Sequence, residues 1–541
     1  MSPYPTPEKP DYSFRRLLGI ALLFTILSLA LFVRVYQIQS IPGGLYPDEA
    51  TNGIDALKAI ETGDYKLFYP NNYGREGLFI NLQALAVKYF GNTVPVLKFW
   101  SAIFGTLAVL GIYLLGKELF QRRSAGLIAA FLLATSFWAI NFSRIGFRAI
   151  MVTFLLTFAF YFFFKGLRTE RVRTFLIAGL IFGIGVHTYV AYRLAPLILI
   201  ALLPFLILSY ENFLKRFWKH GLAFILGALI TALPLIFHFA NHPEELNSRT
   251  GAVSIFSPEI NKGDFWGTFA KTLGLSLVKY NFWGDQNWRH NYPPYPILDP
   301  FTGIFFITAF GYLWYDLVRR LGRRFREKIR DPILVRTVFL LSFFLVMLMP
   351  EFLTEEGLPH ALRSIGTQAP VFLMATMAIM ALVKYAKKVS LGTRLALFSL
   401  IFLALFLGAT INLTKYFVFF AKSPTQMGAF NKNFSNMAEY IMALPAEKKK
   451  YIVPNGGGRM IDNGLPVSAQ PIVFLTHGKA DNVIFLQDDT VLQFGQKNII
   501  ILMQHDATLL KKIEAKIPGS IQEKVDLYPG TGSDFTVVHL P

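Results

Sequence analysis

The sequence contains no cysteine, which excludes disulfides, thiolate nucleophiles, Cys-ligated zinc and iron–sulfur clusters, whichever compartment the chain faces. Charge is scarce: 16% of residues are Asp, Glu, Lys or Arg, against about 25% in ordinary soluble domains. Acidic residues are the scarcer sign, 34 against 53 basic ones. There is no internal repeat and no low-complexity tract. Gly456-Gly457-Gly458 lacks the Lys-Ser/Thr that would complete a phosphate loop, so it reads as a turn. What fills the chain instead is apolar surface: 53% hydrophobic residues, 53 Phe and a mean hydropathy of +0.42 over 541 residues. An ordinary soluble enzyme is excluded.

The apolar residues come in runs. Residues 17–33 follow Arg15-Arg16, exceed a signal-peptide core and are followed by Arg34 with no small-residue cleavage site, so they read as a retained anchor. Ten further runs approach the roughly 20 residues that cross a bilayer: 96–115, 124–140, 150–164, 174–188, 194–208, 221–239, 301–317, 333–349, 371–383 and 395–411. The expected fold is a polytopic α-helical membrane protein of about eleven transmembrane helices.

The net charge of +19 suggests nucleic acid until the basic residues are located. With a cytoplasmic N-terminus, strict alternation puts the dense clusters at 117–123, 165–173, 215–219, 319–330 and 384–394 inside, as the positive-inside rule requires. The charge is then a topology signal, membrane lipid is the partner, and no nucleic acid is expected. A prokaryotic inner (plasma) membrane is the expected location. The same parity leaves outside a first loop (37–95), turns at 143–148 and 187–193, a long loop (241–300), residues 351–366 and the C-terminal segment. The expected domains are a membrane domain, 1–413, and a small extracytoplasmic α/β domain, 414–541. In the latter the strand candidates are 451–454, 471–476, 498–503 and 535–539, and Asp506 caps a helix running to Lys516.

Outer loops of polytopic proteins are short unless something is built on them. The first one opens a helix at Tyr46-Pro47-Asp48-Glu49, with proline suited to the first turn, acids where the helix dipole favours them, and Gly63 a natural stop. Adjacent helical residues point about 100° apart, so Asp48 and Glu49 cannot serve one reacting atom together. One faces a site while the other packs, caps or binds a partner. Arg75 and Glu76 mark the junction to an apolar helix-like segment, and as a surface pair they would be a solvated turn.

Arg144, Arg148, Arg193 and Arg363 fall at outer span ends, where the topology rule does not explain them. Single arginines there can snorkel, but four together suggest a shared anion, since guanidinium forks match phosphate oxygens. The stretch 283–296, with Asp285, Trp288 and His290, mixes aromatic, amide and acidic groups suited to sugars, whose C–H faces stack on rings; an interfacial aromatic belt has the same composition. Asp48, Glu76, His187 and His360 share the outer side and are compatible with a divalent cation, although their spacing fits no metal motif.

On these residues the outer loops resemble those of GT-C type membrane glycosyltransferases, the superfamily of protein O-mannosyltransferases and lipid A aminoarabinose transferase. Asp48-Glu49 resembles the acidic pair of the mannosyltransferase first loop, and Gly74-Arg75-Glu76-Gly77-Leu78-Phe79 with Gln83-Ala84-Leu85 resembles its second half in the family 39-like bacterial branch. That branch often has proline where this chain has Gly77. The resemblance implies that Asp48 is the general base, that the donor is a polyprenyl-phosphate sugar, and that a protein, lipid or glycan acceptor is used on the non-cytoplasmic side. The expectation is an inverting transfer with Asp48, Glu49 and Glu76 as the catalytic acids and the four arginines on the donor phosphate. Arg75, Tyr189, Asp285, Trp288, His290 and His360 are the expected substrate contacts. A transporter or flippase of a lipid-linked sugar is the alternative, disfavoured by the lack of a repeat and of paired broken helices.

Overall fold

The structure, a computed structural model, describes residues 14–246, 254–327, 330–486 and 498–541. Residues 247–253 of the long outer loop, 328–329 of a basic cluster and the Arg15 side chain lie outside the described residues. Two compact units are present: Met1–Tyr36 with Ser101–Tyr416, and Gln37–Trp100 with Phe417–Pro541.

Among the described residues nine helices are long and apolar enough to cross a membrane, and all eleven expected runs fall on apolar helices. Two runs depart from a straight span. Residues 124–140 fall on a pair, Arg123–Thr135 and Phe137–Arg144, bent by 61°, and residues 174–188 on the shorter helix Val172–His187. The bend has chemical support. A break leaves carbonyls at the end of the first helix without intrahelical donors, and the buried Arg34 guanidinium donates to two of them, Leu133 O and Ala134 O, at 3.5 and 3.3 Å. The second helix starts with the Phe137 N–H on Asn412 Oδ1 at 3.3 Å. Asn412, the first residue of the sequon-like triplet Asn412-Leu413-Thr414, is itself buried, so its side chain is spent on structure rather than presented for glycosylation. The short helix packs very closely on Phe213–Asn241: a Cβ at Gly179 or Gly183 would stand 2.1 Å from the carbonyl of Phe224 or Ala228. Such small-residue contacts let helix backbones approach where lipid supplies no hydrophobic drive.

In the second unit a five-stranded sheet runs in the order Val483–Phe485, Lys450–Val453, Ile499–Leu502, Phe535–His539, Ile521–Val525, parallel across the first three and antiparallel beyond. One cluster is built on Ile452, Ile499, Ile501 and Val537, the other on Tyr451, Ile500, Leu502 and Val538, as alternation along the strands dictates. Asp506 caps the helix Ala507–Lys516, accepting from the Thr508 and Leu509 N–H groups at 3.0 Å. One strand expectation is corrected: 471–476 lies in a helix, Gln470–Thr476, with Pro471 in its first turn. A six-residue apolar run has no periodicity to separate the two. Phe474 buries this helix in a cluster with Leu45, Ala50, Val87, Leu97 and Ala438.

Candidate active site

The first loop forms the helix Pro47–Thr62, closed by Gly63 in the left-handed conformation, and the helix Gly77–Phe90, with a two-residue antiparallel bridge of Phe68–Tyr69 and Arg75–Glu76 between them. Of the two adjacent acids, Asp48 is partly exposed and Glu49 is fully buried. Asn72 Nδ2 donates to Asp48 Oδ1 at 2.7 Å. Asp48, Asn52 and Asp55 are spaced i, i+4, i+7 and share a helix face. Arg75 draws on all three, donating to the Asp48 carbonyl at 3.3 Å, to Asn52 Oδ1 at 2.5 Å and to Asp55 Oδ2 at 2.8 Å. The solvated-turn reading of Arg75 and Glu76 is therefore corrected: they are 4% and 2% exposed. Arg75 is a brace between the halves of the loop, its guanidinium occupied by protein oxygens rather than offered to a sugar.

Asn72, Tyr73 and Gly74 all have positive φ, 49°, 68° and 80°. Residues of the C-terminal segment hold this costly turn: Asn71 Nδ2 donates to Asp462 Oδ1 at 3.0 Å, and the Arg459 guanidinium lies 4.8 Å over the Tyr73 ring. Gly77 departs from the proline of the resembling branch for a visible reason. Its N–H donates to the Leu67 carbonyl at 2.7 Å, and a Cβ there would sit 2.0 Å from the Lys66 carbonyl oxygen. Proline supplies neither the proton nor the room.

Asp462 also pairs with Lys58 at 2.5 Å, with side chains 39% and 55% exposed. Burial works to raise the Asp462 pKa, but the hydrogen bonds from Lys58 and Asn71 outweigh it and hold the carboxyl below its ordinary 3.8. A depressed carboxylate stabilises above its unfolded pKa and ceases to do so as pH falls through the folded value. Asp462→Asn should thus lower stability near neutral pH by only about 0.2–1 kcal/mol, the pair being solvent-screened. Thermal denaturation should show that deficit vanish as pH falls below 3.8 and through the depressed folded pKa; a deficit that persists at still lower pH would mean the residue acts through something other than its charge.

The four outer arginines have different surroundings. Arg144 is fully buried, with Nη1 and Nη2 on the carbonyls of Val33 and Tyr36 at 2.7 and 2.6 Å and its guanidinium 5.5 Å from the Tyr416 ring. Its hydrogen-bonding ends are committed to backbone. Arg148 is partly exposed and stacks over Tyr189 at 5.6 Å, so two expected site residues meet. Arg193 lies over Phe239 at 4.9 Å and donates to the Leu246 carbonyl. Arg363 donates to Thr354 Oγ1 at 2.5 Å and pairs with the exposed carboxylate of Glu356.

In the long loop Trp288 is partly exposed, edge-on to Tyr292 at 5.2 Å, whereas Asp285 and His290 are buried at 1% and 3% exposure. The structure gathers Asp285 and His290 with His360. His187 is elsewhere engaged, its Nε2 2.8 Å from the Thr231 carbonyl. The residues that sequence reasoning missed are Asn72, Asn52, Asp55 and the buried pair Lys279–Glu351. Only the i, i+4, i+7 spacing of Asp48, Asn52 and Asp55 carried a signal that could have found any of them.

A family model described as dolichyl-phosphate-mannose-protein mannosyltransferase matches residues 78–238. No curated protein matches the chain. Among solved structures, ArnT from Cupriavidus metallidurans bound to undecaprenyl phosphate is similar at a TM-score of 0.53 and 12% identity, covering 98% of both chains. The Archaeoglobus fulgidus oligosaccharyltransferase tethered with an acceptor peptide is similar at a TM-score of 0.50 and 16% identity, over 87% of this chain; the chain spans 64% of that protein's length. The mannosyltransferase match and these two likenesses agree on one architecture: the chain has the fold of the GT-C type membrane glycosyltransferases.

Proposed function

We propose that the protein transfers a sugar from a polyprenyl-phosphate donor to an acceptor hydroxyl on the non-cytoplasmic face of a prokaryotic plasma membrane. The observation that carries this reading is the Asp48 carboxylate: partly exposed in the first turn of a helix, one oxygen held by Asn72, the backbone behind it braced by Arg75. Its other oxygen makes no hydrogen bond among the described residues, which suits a base waiting for a proton. The binding of undecaprenyl phosphate by ArnT supports the donor class.

In the reaction the acceptor oxygen attacks the anomeric carbon and gives its proton to Asp48. The bond from that carbon to the donor phosphate oxygen breaks, and the phosphate leaves with the electron pair from the opposite face, so configuration inverts. A phosphate leaving group needs no protonating acid, so one carboxylate suffices. Arg148, Arg193 and Arg363 stabilise the charge growing on the phosphate, while Arg144, with its ends on backbone carbonyls, positions rather than binds. The donor phosphate replaces the Glu356 carboxylate on Arg363. Glu76 positions the acceptor, Glu49 holds the loop, and Tyr189 with Trp288 presents aromatic surface to the sugar.

The test is mass-spectrometric detection of transfer by the full-length protein in liposomes, with a panel of polyprenyl-phosphate monosaccharides and membrane extract as acceptor source. Glycosylated acceptor is the expected result, with donor affinity reduced about tenfold or more by Arg363→Ala, as loss of a charge-assisted bond of about 1.5–3 kcal/mol requires. Movement of labelled donor across the bilayer with no covalent product would instead identify a transporter.

A further inference from the structure

The cluster Asp285–His290–His360 stands apart from the residues used above. We infer that it is a divalent-metal site, fitted best by zinc, that clasps the 285–291 loop to the turn carrying Arg363.

Donor chemistry comes first. Two imidazoles and one carboxylate are a borderline set that suits zinc with a fourth position left for water or another oxygen. One ligand atom from each residue lies within 4.8 Å of the other two. Ligands ~2.0–2.2 Å from a zinc ion stand roughly 2.8–3.6 Å apart across angles of 90–110°. His290 Nδ1 and Asp285 Oδ2 already stand 3.0 Å apart, and the widest separation closes with about 1 Å of side-chain movement. The His290 and His360 rings lie at 4.7 Å, tilted by 38°, so both imidazoles reach the same volume.

The support around these ligands is the second observation. Metal-bound carboxylates are themselves hydrogen-bonded by surrounding groups that fix their direction. Asp285 Oδ1 accepts from the Asn287 N–H at 2.8 Å and Oδ2 accepts from the Ala361 N–H at 2.7 Å. Oδ1 keeps a lone pair, while the second lone pair of Oδ2 meets His290 Nδ1 at 3.0 Å. The turn is pinned from other sides as well: the His360 N–H donates to Glu351 Oε1 at 2.9 Å, and Trp138 Nε1 donates to the Ala361 carbonyl at 3.3 Å. A buried carboxylate beside two imidazoles, on a backbone already fixed, is a site ready for a cation.

Zinc replaces the proton shared between His290 and Asp285 and links residues 290 and 360 in a chain that has no cysteine to do so. The clasp is independent of the transfer reading, because its readout is metal content.

The experiment uses full-length protein in detergent, purified without a polyhistidine tag, stripped by chelator and equilibrated with Zn2+ alone. Bound zinc is counted by elemental mass spectrometry. About one ion per chain is expected, with affinity lowered at least about 10–100-fold in His360→Ala. His360→Asp, which restores an oxygen ligand, should recover part of that loss. His238→Ala, at a separate His–Glu contact, should change nothing. A wild-type protein that retains no zinc would leave a hydrogen-bonded His–Asp pair only and overturn the inference. Zinc retained equally by His290→Ala and His360→Ala would do the same by placing the ion elsewhere.

Discussion

Asp48→Asn is expected to abolish measurable sugar transfer while donor binding survives. A positioned general base contributes about 10²–10⁴-fold, and the amide cannot take the acceptor proton. The substitution is unusually clean here. Its Oδ1 can still accept from Asn72 Nδ2, and the Asp48 carbonyl that receives Arg75 belongs to the backbone. The turn of Asn72, Tyr73 and Gly74 is therefore expected to stay in place. The check is single-turnover transfer beside donor affinity for wild type and variant: a fall in rate of at least a hundredfold with affinity within a factor of two is the expected pair of results. Unchanged turnover would remove Asp48 as base and make the two buried neighbours, Glu49 and Glu76, the next to test. A fall in donor affinity to match the rate would make Asp48 a binding residue.

The largest effect on stability is expected at a different pair. Lys279 and Glu351 are both fully buried and joined by a salt bridge. Lys279 also donates to the Ser276 carbonyl at 3.0 Å and lies 4.4 Å from the Tyr280 ring centroid, while Glu351 receives the His360 N–H. Glu351→Gln leaves the Lys279 charge buried without its counter-ion, a loss of about 3–5 kcal/mol. The carbonyl and the ring offset part of it, so the lower end of that range is expected. Removing both charges together, as in Lys279→Met with Glu351→Leu, should recover most of the loss, because an apolar pair of similar volume carries no desolvation cost. Thermal denaturation in one detergent orders the three proteins. A single variant as stable as wild type would mean that water reaches the pair, and a double variant no better than the single would mean that the His360 hydrogen bond matters more than the charge.

How much of this was legible follows from the range of each interaction. Apolar runs are local, and each of the eleven falls on a helix. The helix Pro47–Thr62 was legible from both ends, through Pro47 and Gly63, as was the Asp506 cap. The strand Ile521–Val525 was missed because it lies at the edge of the sheet and is exposed at four of five positions, so it carries no hydrophobic alternation. Val483–Phe485 is three residues long, too short for a period. At the site, Asp48 was legible from its place at a helix start. Asn72 was not, because its bond to Asp48 depends on three successive positive φ angles. Nor was the Lys279–Glu351 pair, whose members stand 72 residues apart, or the sharing of one compact unit by Gln37–Trp100 and Phe417–Pro541.

That shared unit sets an order of events during synthesis. The ribosome completes Gln37–Trp100 early, yet the groups that bury and brace it, Ser435 on the Leu45 N–H, Asp462 on Asn71 and Phe474 against Gly53, are encoded after roughly three hundred intervening residues. At about 5–20 residues per second, the loop waits tens of seconds with apolar faces such as Leu45 and Ala50 uncovered and its turn unbraced. The nascent first loop therefore keeps these apolar faces uncovered through much of synthesis, and its helix carrying Asp48 is braced only when the last segment of the chain arrives.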